Sequence, residues 1–454
     1  MKRFRTAALP ALLVCAAAVS AVSSLSTVSA KGGNWPQFRG PEGQGVSRET
    51  GAPLEWSATK NVLWKTPIEG RGQSQPIIFG KHVFLTTAVA GELVPGTKTP
   101  VYPEYGAGGR HPDSIDADRR HAFKVVALDR DTGRILWSQV AYEGLPADYR
   151  HRKSSFASPT PVTDGKMVFA YFGSEGLYAY DYKGKLAWKQ AVSRLATMGM
   201  GAGSSPILHG DLVIVQADSG ADGKESFIAA YDKKTGKQVW KAMRQGLEIS
   251  WSTPIVVRTA KRAELIASGN QFVIAYDPAT GKELWRAKGL ESNAIPMPLT
   301  DGEMVFVGAG YPKKIMYGIR LGGDGEQKEG AGVVWKYEKG VAYVPSPILY
   351  NGLIYLMNDR GLLTTLETKT GAVKYEGGRV PVPATFMASP VVVGDHLLLA
   401  SEDGDTFVVK AGPKHEVVRT NSLGEPIYVS PAIADDKIFI RADKHLYAIG
   451  HKKG

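Results

Sequence analysis

The sequence predicts an all-β protein: an eight-bladed β-propeller of four-stranded antiparallel blades, its ring closed by an N-terminal strand. Three observations predict it. A strand–turn–strand signature recurs in register, a proline-headed strand precedes it in each unit, and one tryptophan strand near the N-terminus has no blade of its own.

The clearest copy of the signature runs from Ala275 to Trp285. Phe272 to Tyr276 mixes apolar, β-branched and aromatic residues, which suit a half-buried pleated surface. Asp277-Pro278 opens a turn, because Pro278 fixes its own φ and the Asp277 carboxylate accepts a turn N–H. Gly281 can take the positive φ that closes a hairpin through a bulge. Trp285 then lies on the outgoing strand, where a large flat side chain fills space between packed sheets. Ala127 to Trp137 and Ala230 to Trp240 repeat this spacing, and Ala179 to Trp188 is one residue shorter.

In chain order, the first element is a targeting segment. Met1 to Arg5 is a basic region, Leu9 to Val22 is apolar, and Val28-Ser29-Ala30 is a small-residue cleavage signal. Residues 1–30 are therefore expected to be a signal peptide cut after Ala30, giving a periplasmic or secreted protein with no transmembrane segment after cleavage. An uncleaved anchor is the weaker alternative, since the apolar run is short and ends in Ser-rich sequence. Cys15, the only cysteine, lies in this segment. Disulfides, thiolate metal sites, cysteine nucleophiles and Cys-x-x-Cys-His haem attachment are thereby excluded from the mature chain. The net charge of +11 includes three cations of the signal, Lys2, Arg3 and Arg5. The remaining basic bias carries no long Lys/Arg run, so nucleic acid is not an expected partner.

Residues 31–60 form an N-terminal extension, and 61–450 the propeller. Asn61 to Lys65 is the unattached tryptophan strand, expected to complete the eighth blade and remove an exposed sheet edge. Eight proline markers head the blades: Gln75-Pro76, Ser158-Pro159, Ser205-Pro206, Thr253-Pro254, Ile295-Pro296, Ser346-Pro347, Ser389-Pro390 and Ser430-Pro431. Blade one carries an insertion, 89–121, rich in Gly, Pro and Tyr and far longer than ordinary loops. It is either a lid or partner-binding arm over the channel, or a floppy decoration. Later blades carry Trp188, Trp240, Trp285 and Trp335 on their outer strands, Tyr375 replaces the indole in the sixth, and the seventh degenerates near Val417-Val418.

This repeat resembles the PQQ-like, or quinoprotein-type, β-propeller family, and Trp35-Pro36-Gln37-Phe38-Arg39-Gly40-Pro41 resembles the opening of its secreted bacterial members. The resemblance covers essentially the whole mature chain. It implies two kinds of function. One is quinone-dependent dehydrogenation of alcohols or sugars. The other is a non-enzymatic envelope scaffold, similar to the propeller lipoprotein of the outer-membrane barrel-assembly machinery.

Propeller connectivity puts the first turns and the Thr-Gly turns on one uniform face. The loops leading into the proline strands share the other, varied face, as a binding surface would. Channel-face candidates there are Arg71; His151, Arg152 and Lys153; Glu248 and Trp251; Asn293; Tyr343; Phe386; and Tyr428. For a PQQ site with Ca2+, Trp251 would stack on the quinone, Arg152 and Lys153 would bind its carboxylates, and Glu248, Glu291 and Asn293 would offer oxygens. Eight loops collect such residues by chance, and the mature chain lacks both the cysteine pair and the haem motif of family dehydrogenases. No catalytic residue or metal ligand is assigned. The expectation is a monomeric binding scaffold without a cofactor, holding an envelope protein or polymer on the varied face. The alternative is a PQQ-dependent alcohol or sugar dehydrogenase with an atypical site.

Overall fold

The computed structural model describes residues 33–452. The expected signal peptide, residues 1–30, therefore lies outside the described residues. Eight sheets form the ring, and seven of them have four strands. Blade one, for example, is Ile77–Phe79, His82–Leu93, Arg119–Asp129 and Ile135–Gly144, in that spatial order from the channel outwards. Blade eight takes three strands from the C-terminal end, and its outermost strand is Val62–Pro67, antiparallel to His445–Ile449 with Trp64 opposite Ala448. The N-terminal strand closes the ring.

The signature is now explained by contacts. In the Asp-x-x-Thr-Gly turns, the Asp232 carboxylate accepts the N–H of Thr235 (2.8 Å) and its hydroxyl (2.7 Å). Gly236 turns the chain at φ +72°, and a bulge follows at Val239, since Tyr231 pairs with Gln238 but Ala230 with Trp240. Five of the outer-strand indoles dock on the next blade's turn: Trp64 donates to Arg130 O (2.9 Å), Trp137 to Tyr182 O (2.9 Å), Trp188 to Lys233 O (2.8 Å), Trp240 to Pro278 O (3.1 Å) and Trp335 to Thr368 O (2.7 Å). The turn glycine lies flat under that indole. A Cβ on Gly236 would sit 2.6 Å from the Trp188 ring. Gly236→Ala therefore meets both a left-handed backbone and a clash, and is expected to cost about 1–3 kcal/mol, read as a lower denaturation midpoint.

A second ring of bonds lines the channel. The hydroxyl of Thr160 accepts the N–H of Gln75, Ser205 that of Thr160, Thr253 that of Ser205, Ser346 that of Met297, Ser389 that of Ser346, and Ser430 that of Ser389, all between 2.9 and 3.0 Å. This explains why a small hydroxyl residue precedes six of the eight blade-heading prolines, Gln75 and Met297 standing before the other two. It also corrects the markers of two blades. The equivalent positions are Thr160-Pro161 and Met297-Pro298, because the inner strands begin at Val162 and Leu299. The doubled prolines of Ser158-Pro159 and Ile295-Pro296 misplace the register by two residues.

The N-terminal extension is a strap across the channel at the Thr-Gly face. Trp35 pairs with Ile78 of blade one (2.7 and 2.8 Å), Pro36 O accepts from Thr163 of blade two (2.9 Å), Gln44 accepts from Thr300 of blade five (3.0 Å), and Ser47 donates to Val392 O of blade seven (2.9 Å). Arg39 is fully buried there and donates to Pro347 O (2.6 Å), Gln44 O (3.0 Å) and Ser346 O (3.3 Å). Burial without a carboxylate brings its guanidinium down to about 9. Blade seven does keep an outer strand, Val417–Ser422, but no aromatic of its own. Trp56 of the strap packs in the cluster shared by Val408 and Ile438, its backbone N–H donating to the Asn421 side-chain oxygen (3.0 Å), and supplies the missing indole.

Two elements depart from a plain four-stranded repeat. Blade five replaces its Thr-Gly turn by residues 321–332, and Gly325–Gln327 of that segment adds a fifth, parallel strand outside Trp285–Ala287 of blade four. The blade-one insertion is shorter than 89–121, because the hairpin continues to Leu93 and resumes at Arg119. Its tip, 94–118, is packed rather than floppy. Tyr102, Ala117, Tyr149 and Met198 form a small core between it and the following loops.

Glu425 clamps the closing seam. Its carboxylate accepts from Tyr447 (2.5 Å) and His445 Nδ1 (2.6 Å) and pairs with Lys65 of the closing strand (3.1 Å). Burial alone would raise the carboxyl, but these bonds outweigh it and hold Glu425 at about 2. A depressed carboxylate stabilises above its unfolded value of about 4.5 and loses that stability as pH falls towards 2. The wild type is expected to lose up to about 3 kcal/mol over that window. Glu425→Gln should remove this part of the acid dependence, as read from denaturation midpoints against pH.

Candidate functional site

The channel narrows to a blind, neutral well. Its cavity is about 140 Å3, floored by Phe38 of the strap and walled by Gln73, Gln75, Trp251, Tyr428 and the hydroxyl ring. None of the residues lining it is charged. It opens towards the varied face.

Around the mouth, the sequence-selected residues fall into three groups. On the side of blades one, two, seven and eight, they interlock. Arg71 lies 5.5 Å over the Tyr428 ring and donates to Lys153 O (3.1 Å), and Gln73 donates to the same carbonyl. Lys153 reaches across to Glu402 of blade seven (2.9 Å). A second group faces the insertion. Arg152 and His151 both meet Asp113, at 2.9 and 3.4 Å, and Arg150–His151 pairs as a short strand with Ser114–Ile115. Burial holds the His151 ring below its ordinary value, against the pull of Asp113. On the far side, Trp251 donates to Gly201 O (2.8 Å), Asn293 to the Tyr343 hydroxyl (3.5 Å), and Tyr343 packs on Tyr311 at 5.3 Å.

Two selected residues sit differently. Phe386 is buried, 1% exposed, beside Phe407 at 6.1 Å, and belongs to the core of blades six and seven. Its apolar ring is withdrawn from the mouth because the Gly361 turn leaves room beneath it. Glu248 is only half-buried, and its backbone N–H is held by Asn270 (3.1 Å). Sequence reasoning missed Asp113, Glu402 and Tyr311, which partner the selected residues. Glu402-Asp403-Gly404-Asp405 had a signal as an acidic turn, and its first carboxylate serves Lys153.

The insertion docks on the loops of blades two and three. Asp148, buried, accepts from the Tyr102 hydroxyl and from Thr197 N–H (2.8 Å) and hydroxyl (2.6 Å). Ser114 donates to Gly199 O (2.8 Å), and Tyr105 to Met198 O (3.1 Å). Beneath the far side lies a buried ion pair. Arg244 and Asp218 (2.7 Å) are both fully buried, and Asp218 also accepts from Ser250 (2.5 Å), next to Trp251. Burial pulls the Arg244 guanidinium down, but the Asp218 charge outweighs it and keeps the group above its usual range.

The profile of the outer membrane protein assembly factor BamB family matches residues 121–249 and 224–454. The chain belongs to this family of PQQ-like propellers. Among solved structures it is similar to BamB from Moraxella catarrhalis, at 13% identity, TM-score 0.55, covering 86% of this chain and 99% of that one. It is also similar to a europium-containing methanol dehydrogenase (13%, TM-score 0.63, 90% and 89%). A third is the quinohemoprotein alcohol dehydrogenase from Comamonas testosteroni (12%, TM-score 0.62, 93% and 81%). At these identities the likeness is one of fold. No protein of curated function matches in sequence. Within the BamB-type fold, the channel's donor set does not suit a tricarboxylate quinone with Ca2+. Trp251 lines the well, but Arg152 is turned to Asp113 and Lys153 to Glu402, and no carboxylate lines the cavity. Among the described residues no helix is long and apolar enough to cross a membrane.

Proposed function

We propose that the protein is a non-catalytic binding scaffold of the bacterial cell envelope, periplasmic or secreted, that holds an envelope protein on its varied face. The observation carrying this reading is the contrast between the two ends of the channel. One is sealed by the protein's own strap; the other is ringed by aromatic and charged loops and flanked by a docked insertion. Kinship with an outer membrane protein assembly factor favours a protein partner over a polymer. The scaffold needs no cofactor.

The dehydrogenase reading rests on Trp251 in the channel wall and on the fold shared with quinone enzymes. Titration with PQQ and Ca2+ separates the two. The scaffold reading expects no saturable quinone absorbance and no dye reduction on alcohols or sugars. Micromolar binding with turnover would overturn it. The partner is sought by capture from envelope extracts with the full chain and with 94–118 replaced by a short turn. The bound protein is expected to be lost or weakened with the shortened chain.

A further inference from the structure

Beside the channel mouth lies a separate cavity of about 260 Å3, formed where the lead-in loops of blades one and two meet the insertion. Phe156 and Ala88 give it an apolar floor, and Arg71, Arg150, Asp116 and His121 line its walls. Arg150 is committed: it pairs with Asp116 and donates to Ser154 O (2.8 Å). The other two groups are not fully used. The Nε of Arg71 is buried and has no hydrogen-bond partner. His121 is 3% exposed, packs edge-on against Phe156 at 4.8 Å, and places Nδ1 2.9 Å from Arg119 O. A carbonyl there requires Nδ1 to carry the proton, which leaves Nε2 as an acceptor in the neutral ring. Burial keeps the ring neutral by holding His121 below its usual value.

We infer that this cavity is a binding site for a small carboxylate monoanion that carries a hydroxyl next to the carboxylate. The charge count asks for one negative charge, since two guanidiniums face one carboxylate. A planar carboxylate suits a guanidinium with free N–H groups. The unprotonated His121 Nε2 asks for a donor, which an adjacent hydroxyl supplies. The apolar floor accommodates a short hydrocarbon end. This site is distinct from the neutral well and does not depend on the scaffold reading.

The test is calorimetric titration of the mature chain with lactate, acetate and inorganic phosphate at fixed ionic strength, with the His121 ring nitrogens followed by NMR. Lactate is expected to bind saturably and tighter than acetate, and to shift the Nε2 signal. Arg71→Gln should weaken lactate roughly tenfold or more, the value of a hydrogen bond to a charged group. His121→Phe should keep the packing on Phe156 and bring lactate to the level of acetate. Absence of saturable binding to the wild type overturns the inference. So does an unmoved Nε2 signal, a preference for phosphate, or lactate binding unchanged in both variants.

Discussion

Asp218→Ala is expected to destabilise the protein by about 3–5 kcal/mol, because it leaves the Arg244 guanidinium buried without its countercharge. Besides Asp218, Arg244 donates to Ser268 O (3.0 Å) and lies 3.3 Å from the Tyr276 hydroxyl, so the pair joins blade three to blade four. The same carboxylate receives Ser250 and Gln216, at 2.5 and 2.9 Å. Its loss should therefore loosen the loop that carries Trp251. Replacing both charges, as in Asp218→Ala with Arg244→Met, should recover most of the stability, since removing a buried pair is far cheaper than breaking it. Chemical denaturation of the two single variants and the double variant measures this coupling directly. Equal losses that simply add would contradict the account.

Trp285→Ala should cost about 3–5 kcal/mol, the upper range for truncating a buried indole. Trp285 is the fully buried member of the outer-strand series, and its N–H goes to Glu264 (2.8 Å) instead of to a neighbouring turn. Glu264 is itself fully buried and is also held by Arg262 (2.9 Å), which reaches Asp324 beyond (2.6 Å). Truncation thus opens a cavity and removes one donor from a buried carboxylate. Trp285→Phe keeps most of the packing and should cost about 1–3 kcal/mol through the lost hydrogen bond alone. The difference between the two variants, read from unfolding midpoints, separates packing from polar satisfaction.

These two sites also mark what the sequence could and could not reveal. The repeat was legible because its physics is local. Asp-x-x-Thr-Gly builds its turn from its own side chains, and Gly281 takes φ +73° as the hairpin bulge requires. Closure by Trp64 followed from a strand without a blade. The role of Trp35 to Gly45 was not legible as more than a family opening, because its partners lie on strands up to several hundred residues away. Nor was the Asp218–Arg244 pair, since neither residue belongs to the repeat and only folding brings them together. Markers at Ser158 and Ile295 were misread because two prolines stand two residues apart, and only strand pairing decides which heads the blade. At the site, the loops of the varied face were identified as a group. Their pairings were not, because Asp113 and Glu402 lie far from Arg152 and Lys153 in sequence. Phe386 was assigned to the mouth by chain position, while its burial depends on the Gly361 turn of the neighbouring segment.

The central claim is that partners are held on the varied face and not on the face of the Thr-Gly turns. Site-specific photo-crosslinking in the native envelope tests it most directly, with the probe placed at Arg152 and Tyr343 on one face and at Lys234 and Thr370 on the other. The account predicts discrete cross-linked protein bands from Arg152 and Tyr343 and none from Lys234 or Thr370. Bands from the Thr-Gly positions alone, or equally from both faces, would contradict it.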